Sequence, residues 1–224
     1  MKELNISSLF DNIDEKFLPL FEGAEYPFEV LGKIGDFIKK LGPTLNEEIY
    51  EQKGENIWIA KSAKVAKTAS ITGPCIIGED TEVRHCAFIR GNALVGNNCV
   101  VGNSTELKNV VLIGKVQVPH YNYVGDSILG YGSHMGAGSI TSNVKSDKTL
   151  LTVKAGDQRI ETGLKKFGAI LGDFVEVGCG SVLNPGTIIG KNSNIYPLSS
   201  VRGFVPASSI YKNAGEVVKK RNDS

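Results

Sequence analysis

From Ile59 onward an aliphatic residue stands at every sixth position: Ile59, Val65, Ile71, Ile77, Val83, Ile89, Val95, Val101, Leu107 and Ile113. With about one residue in four being Val, Ile or Leu, ten such hits in a row arise by chance on the order of once in a million. Four residues after each of the first nine comes a small or short side chain: Ala63, Ala69, Cys75, Thr81, Ala87, Ala93, Cys99, Thr105 and Val111. Six is neither the 3.6-residue period of a helix nor the alternation of a plain strand. It is the repeat of a β-helix, in which each hexad makes one short strand and a turn. The aliphatic residue and the small one point inward. The residue after the aliphatic one sits at a corner, where glycine is expected for its free φ, as at Gly78, Gly96, Gly102 and Gly114. The pattern returns at Leu171, Val177, Leu183, Ile189, Ile195 and Val201. Between the runs, from about 119 to 170, the rule breaks. A regular scaffold interrupted once is expected to carry its function near the interruption.

The spacing predicts an all-β chain in three parts: a helical N-terminal cap over 1–56, a β-helix over 57–206 with a projecting hairpin at 146–163, and a charged tail over 207–224. Leu31, Ile34, Ile38 and Leu41 have helical spacing, and Gly42-Pro43 stops the run. Thr44 to Glu47 reads as a capping box opening another short helix. The open end of a β-helix exposes a sheet edge. The N-terminal segment is therefore expected to pack on the first coils.

A net charge of +1 on 224 residues argues against a nucleic-acid footprint based on bulk charge. No aliphatic run is long enough for a membrane span, and MKELNISSLF is not a signal peptide, so a cytoplasmic location is the default expectation. The four cysteines lack CxxC spacing, and Cys75 and Cys99 fall on small inward positions. They read as reduced core thiols, with no metal site expected.

Three hexads make one coil, so Arg90 and Lys108, eighteen residues apart, stack one above the other at corners. Coils lie roughly 4.8 Å apart. Two like charges at about 5 Å repel by roughly 3 kcal/mol at an effective dielectric near 20. An anionic ligand such as a phosphate would explain the pair; two solvated corner residues swinging apart would fit as well. Of the three histidines, His85 lies just past a corner. His120 ends the first regular run in VPHYNYVGDS, and His134 precedes the turn MGAG. A histidine beside the break is a candidate general base near neutral pH, and a structural histidine satisfied by its neighbours fits the same composition. His120 is two faces round the coil from Lys108. A trimer with its site in the cleft between neighbours would bring such residues together.

Residues 90–143 carry a more specific pattern. Arg90 is followed by Lys108 within GN-x-x-E-x-K, by His120 in H-x-x-Y-x-GD with Tyr123, Gly125 and Asp126, and by Gly136-Ala137-Gly138 and Asn143. In these residues the chain resembles the C-terminal acetyltransferase domain of bifunctional N-acetylglucosamine-1-phosphate uridyltransferase / glucosamine-1-phosphate acetyltransferases. The resemblance is close over about 55 residues and looser over the whole β-helix.

It implies a single-stranded left-handed parallel β-helix forming a homotrimer, with acetyl-CoA donating to an amino-sugar phosphate. His120 would be the general base, oriented by Glu106. Arg90, Lys108 and Tyr123 would hold the phosphate, and Asn143 the sugar or acetyl group. The backbone N–H near Ala137 would stabilise the oxyanion, and the coils around Ala169 and Cys179 would help bind the coenzyme. His134 stands where the family has an asparagine contacting the sugar. Lys148, after a segment one residue shorter than usual, takes the place of a family lysine. Lys154, Arg159, Lys165 and Lys166 in or near the hairpin could reach phosphates or simply face solvent. Residues 1–56 hold no LxxGxGxRL loop, so uridyl transfer is not expected of this chain.

Two other readings compete. A binding or regulatory protein would need the phosphate-holding residues only, and the joint presence of His120 and Glu106 favours catalysis over it. A metal-dependent lyase of the γ-carbonic-anhydrase type would need a close histidine pair that positions 85, 120 and 134 do not supply.

Overall fold

Short strands, most of two to four residues, separated by tight turns stack into a parallel β-helix with three faces. The computed structural model describes residues 2–212 and 215–220. Face one contains Ile57–Ala60, Cys75–Ile77, Ala93–Val95, Ala169–Leu171, Thr187–Ile189 and Phe204–Val205. Face two runs from Lys64–Val65 through Val100–Asn103, Gln117–His120 and His134–Met135 to Ser209–Tyr211. Face three contains Ser70–Ile71, Phe88–Ile89, Ile140–Thr141, Val182–Leu183 and Ser200–Val201. Glu106–Leu112 and Tyr123–Leu129 bend from face three into face one. No described helix is long and apolar enough to cross a membrane.

The expected inward residues fill the interior, with two exceptions. Ile59 through Leu107 and Leu171 through Val201 pack with Cys75, Ala87, Ala93 and Cys99 in the inner core, edged by half-exposed Ile71 and more exposed Val65. Thr81 and Thr105 are also buried, each donating its hydroxyl to a backbone carbonyl of the adjoining coil, at Gly96 and Val118. Counting by six then reaches Val111 and Ile113, but Val110 and Leu112 point inward instead. The corner at Asn109, with φ 55°, uses one residue fewer, the corner at Asp126, with φ 49°, does the same one coil later, and the phase slips. Glu106 therefore lies opposite Tyr123, and Tyr123 opposite Ile140, seventeen residues per coil rather than eighteen.

The corner glycines serve a different purpose from the one expected. None of Gly78, Gly96, Gly102 and Gly114 has positive φ; that conformation falls two residues later, at Asp80, Asn98 and Ser104. At Gly96 and Gly102 an added Cβ would collide with the backbone of the next coil, at Ile113 and Pro119. Space, not φ, demands glycine there.

The N-terminal segment differs from a cap on the first coils. It runs the length of face one, against the order of the coils. Asp11 and Asn12 bond to buried Asp173, Phe28 meets Phe167, Asn109 donates to the Leu31 carbonyl, and Gly42 lies against Trp58. One outward aliphatic per coil receives it, including Ile76, Leu94, Val111, Ile128, Ile170 and Ile188. The helix Ile34–Leu41 buries Ile34 and Ile38 against this face. The expected second helix is not formed. Thr44 turns its hydroxyl back to the Leu41 carbonyl, and Tyr50–Gly54 pairs antiparallel with Ile57–Ala60. That strand covers the free edge of the first coil, which a helix could not do. At the other end Val217–Lys219 folds back antiparallel on Ser209–Tyr211. Of the expected tail, positions 213–214 and 221–224 lie outside the described residues.

Candidate functional site

Face three has two edges, and most of the residues singled out by sequence divide between them. At the edge leading into face one, register places Arg90, Lys108 and Gly125 on successive coils. Arg90 donates to Glu106 Oε1 at 2.6 Å and lies over the Phe88 ring. Lys108 Nζ reaches both oxygens of Asp126, at 2.9 and 3.0 Å. The Asp126 side chain is only 5% exposed, and it also accepts from Asn109 Nδ2 at 2.9 Å and from Asn143 Nδ2 at 2.5 Å. Asn143 Nδ2 lies 3.3 Å from the Tyr123 hydroxyl as well.

This network explains why Gly125-Asp126 follows Tyr123. A side chain at 125 would strike the Tyr123 hydroxyl, and Asp126, in the left-handed region at φ 49°, turns its carboxylate back under Lys108. Burial, with the Asp126 and Glu106 carboxylates, pushes the Tyr123 hydroxyl pKa up, so the phenol stays protonated. The hydrogen bond to Glu106 pushes the Arg90 guanidinium pKa up.

Two expectations change here. Arg90 and Lys108 do stack, but each has a carboxylate partner, so their closeness does not by itself require an anion. Glu106 bonds Arg90, not His120.

His120 lies at the opposite edge, where face two turns into face three. It is exposed, and its ring nitrogens have no hydrogen-bond partner among the described residues. Its backbone carbonyl accepts from Gly138 N, that of Ala137 from Gly180 N, and that of Cys179 from Leu198 N. His120, Ala137 and Cys179 thus form one exposed column on successive coils. Ala137 is exposed, and its N–H has no acceptor among the described residues. Two residues, Tyr121 and Asn122, separate His120 from Tyr123 across the turn, so on one chain the two edges are the opposite ends of face three.

Three expected site residues lie elsewhere. Ala169 is fully buried in the inner core and offers a ligand no side chain. His134 is on face two, opposite Gln117 and Glu176, with Nδ1 2.8 Å from Glu176. Lys148 is exposed at the end of a turn closed by its N–H on the Lys145 carbonyl, outside the Asp126 network. Sequence reasoning named Asp126 but gave it no role, and passed over Asn109. The left-handed backbone that turns Asp126 to Lys108 and Asn109 to Asp126 leaves only a weak trace, the preference of Asn and Asp for that conformation.

Residues 71–189, more than half the chain, match the family described as the GMPPB C-terminal domain. The bifunctional protein GlmU of Methanococcus vannielii is 32% identical over 215 residues, covering 88% of this chain and 48% of that protein. A bifunctional sugar-1-phosphate nucleotidylyltransferase/acetyltransferase of Sulfurisphaera tokodaii is 33% identical over 107 residues, covering 48% of this chain and 27% of that one. The chain therefore spans about half the length, or less, of these curated relatives. A hexapeptide transferase family protein from Anaplasma phagocytophilum superposes with a TM-score of 0.47 at 15% identity, over 74% of this chain and 79% of that one. The resemblance drawn from residues 90–143 returns here in the names of the relatives.

Proposed function

Because the chain belongs to the GMPPB C-terminal domain family, with a relative named as a bifunctional sugar-1-phosphate nucleotidylyltransferase/acetyltransferase, we propose that it is an acetyl-CoA-dependent N-acetyltransferase acting on an amino-sugar phosphate such as glucosamine-1-phosphate. One observation carries this reading. Face three presents two cations, each fixed by its own carboxylate, at one edge and, at the other, a histidine whose ring has no partner among the described residues.

At the first edge Arg90 and Lys108 take the phosphate. Glu106 and Asp126 hold the two cations in place beforehand, so binding loses little side-chain entropy. Tyr123 and Asn143 donate to the phosphate or the sugar. Acetyl-CoA supplies an activated acetyl group when bound, and the open column of Ala137 and Cys179 is the surface that fits it. The side chain of Ala169 takes no part. His120 accepts the proton of the attacking amine through a ring nitrogen. The free Ala137 N–H points to the developing oxyanion. Glu106 acts on Arg90 rather than on the base.

The separation of the edges supports a homotrimer, in which the clamp of one protomer faces the histidine edge of its neighbour. Thiol release from acetyl-CoA by the purified protein, with and without glucosamine-1-phosphate, tests the reading. Release that requires the sugar supports it. No release, with calorimetry still detecting the sugar phosphate, replaces it with a binding protein.

A further inference from the structure

Farther along the clamp edge lies a cleft of about 550 Å³ between the hairpin and the last coils. Its charged lining is Lys145, Asp147, Lys154 and Arg202. Arg202 follows Val201 on face three as Lys108 follows Leu107, so it occupies the same corner position several coils away. Lys154 comes from the hairpin Thr152–Ala155 / Gln158–Glu161. Leu151 and Val153 are fully buried against the flank of the β-helix, in the cluster that holds Phe167, Ile188 and Phe204. Strand alternation then turns Thr152 and Lys154 toward the cleft. The hairpin backbone sits directly on the coil: at Gly203, with φ 73°, an added Cβ would stand 2.8 Å from the Lys154 carbonyl oxygen.

The charges here are arranged unlike those at Arg90 and Lys108. Among the described residues Lys154 and Arg202 make no ion pair and no side-chain hydrogen bond. Lys145 Nζ donates only to neutral groups, Thr149 Oγ1 at 3.0 Å and the Leu150 carbonyl at 2.9 Å. Asp147 is the one carboxylate in the lining, and its Oδ1 is engaged by the N–H and hydroxyl of Thr149. Three cations against one carboxylate leave two positive charges uncompensated. Uncompensated charge of one sign in a concave site attracts and concentrates counter-charge. The volume is within the range of roughly 300–1,000 Å³ typical of small-molecule sites, more than a single phosphate fills.

We propose that this cleft binds the diphosphate group of a nucleotide-type ligand, with Arg202 and Lys154 gripping it from the coil and the hairpin and Lys145 closing the third side. Arg202 suits a fork of phosphate oxygens and the lysines act as point charges. The inference does not rest on acetyl transfer, since a chain that acetylates no sugar would still bind a diphosphate there.

Calorimetry with inorganic pyrophosphate on the full chain tests it. The natural protein binds, more weakly as salt rises. Lys154→Ala and Arg202→Ala each weaken binding by roughly tenfold, the loss of a charge-assisted contact. Arg202→Lys retains most of it, and Lys67→Ala, at an exposed lysine on the first coil, changes nothing. Both truncated side chains are exposed, so unfolding temperatures stay at the natural value. Competition identifies the source: displacement by coenzyme A assigns the diphosphate to an acyl donor, and displacement by a uridine diphosphate sugar to a nucleotide sugar. No binding by the natural protein, equal binding by the variants, or displacement by neither competitor overturns the proposal.

Discussion

At the corner where face three ends, Arg90 bonds Glu106, and Lys108 shares Asp126 with Asn109 and Asn143. At the corner where face three begins, His120 stands exposed, and neither its ring nor the Ala137 N–H has a partner among the described residues. Both corners belong to the same repeat, so the scaffold does not impose the difference. A group that holds a bound anion gains from being fixed beforehand. A group that accepts a proton must keep a lone pair open. The contrast teaches that one edge is organised for holding and the other for chemistry.

The largest expected effect falls on the open edge. His120→Ala is expected to lower the turnover of amine acetylation by about 10²–10⁴, the range of a lost general base. The unfolding temperature should stay put, because the ring supports nothing. Unchanged turnover would remove the asymmetry between the edges. Asp126→Ala should give the largest stability loss, about 3 kcal/mol by denaturant titration, because it strips three donors of their shared acceptor. A loss below about 1 kcal/mol would mean that the network is loose and its order incidental.

Gly102→Ala should cost about 1–3 kcal/mol through overpacking against Pro119. A neutral outcome would return the corner glycines to a backbone-conformation role. Glu106→Gln sharpens the comparison more finely. It should raise the sugar-phosphate KM a few-fold by loosening Arg90 and leave kcat within about threefold. A selective fall in kcat would give Glu106 back to His120.

The smallest effect concerns reactivity alone. Burial pushes the Cys75 and Cys99 thiols up to about 12, so near pH 8 only about one part in ten thousand is thiolate. A thiol reagent should label exposed Cys86 and Cys179 in the folded chain and reach the other two only on unfolding. Labelling of all four would mean that the inner core opens readily.

The repeat made the coils legible because an inward aliphatic every six residues leaves a direct mark on sequence. The slip at Asn109 was not legible. Val111 and Ile113 are as apolar as the Val110 and Leu112 that replace them inside. The path of residues 2–44 along face one was hidden for a related reason. Ile76, Leu94 and Ile128 are outward aliphatics that hexad counting does not register. At the site, spacing placed Arg90 above Lys108 and His120 on another corner. It could not tell that Glu106 would turn to Arg90, since one carboxylate lies within sequence reach of both. His134 was drawn toward the sugar by motif position, whereas its strand points it from face two to Glu176.

The division of labour between the edges is tested most directly by steady-state kinetics of Arg90→Ala and His120→Ala, measured side by side with glucosamine-1-phosphate and acetyl-CoA. A rise in the sugar-phosphate KM with kcat nearly unchanged for Arg90→Ala, and a fall in kcat with KM nearly unchanged for His120→Ala, is the predicted result. Loss of the same parameter in both variants would contradict it.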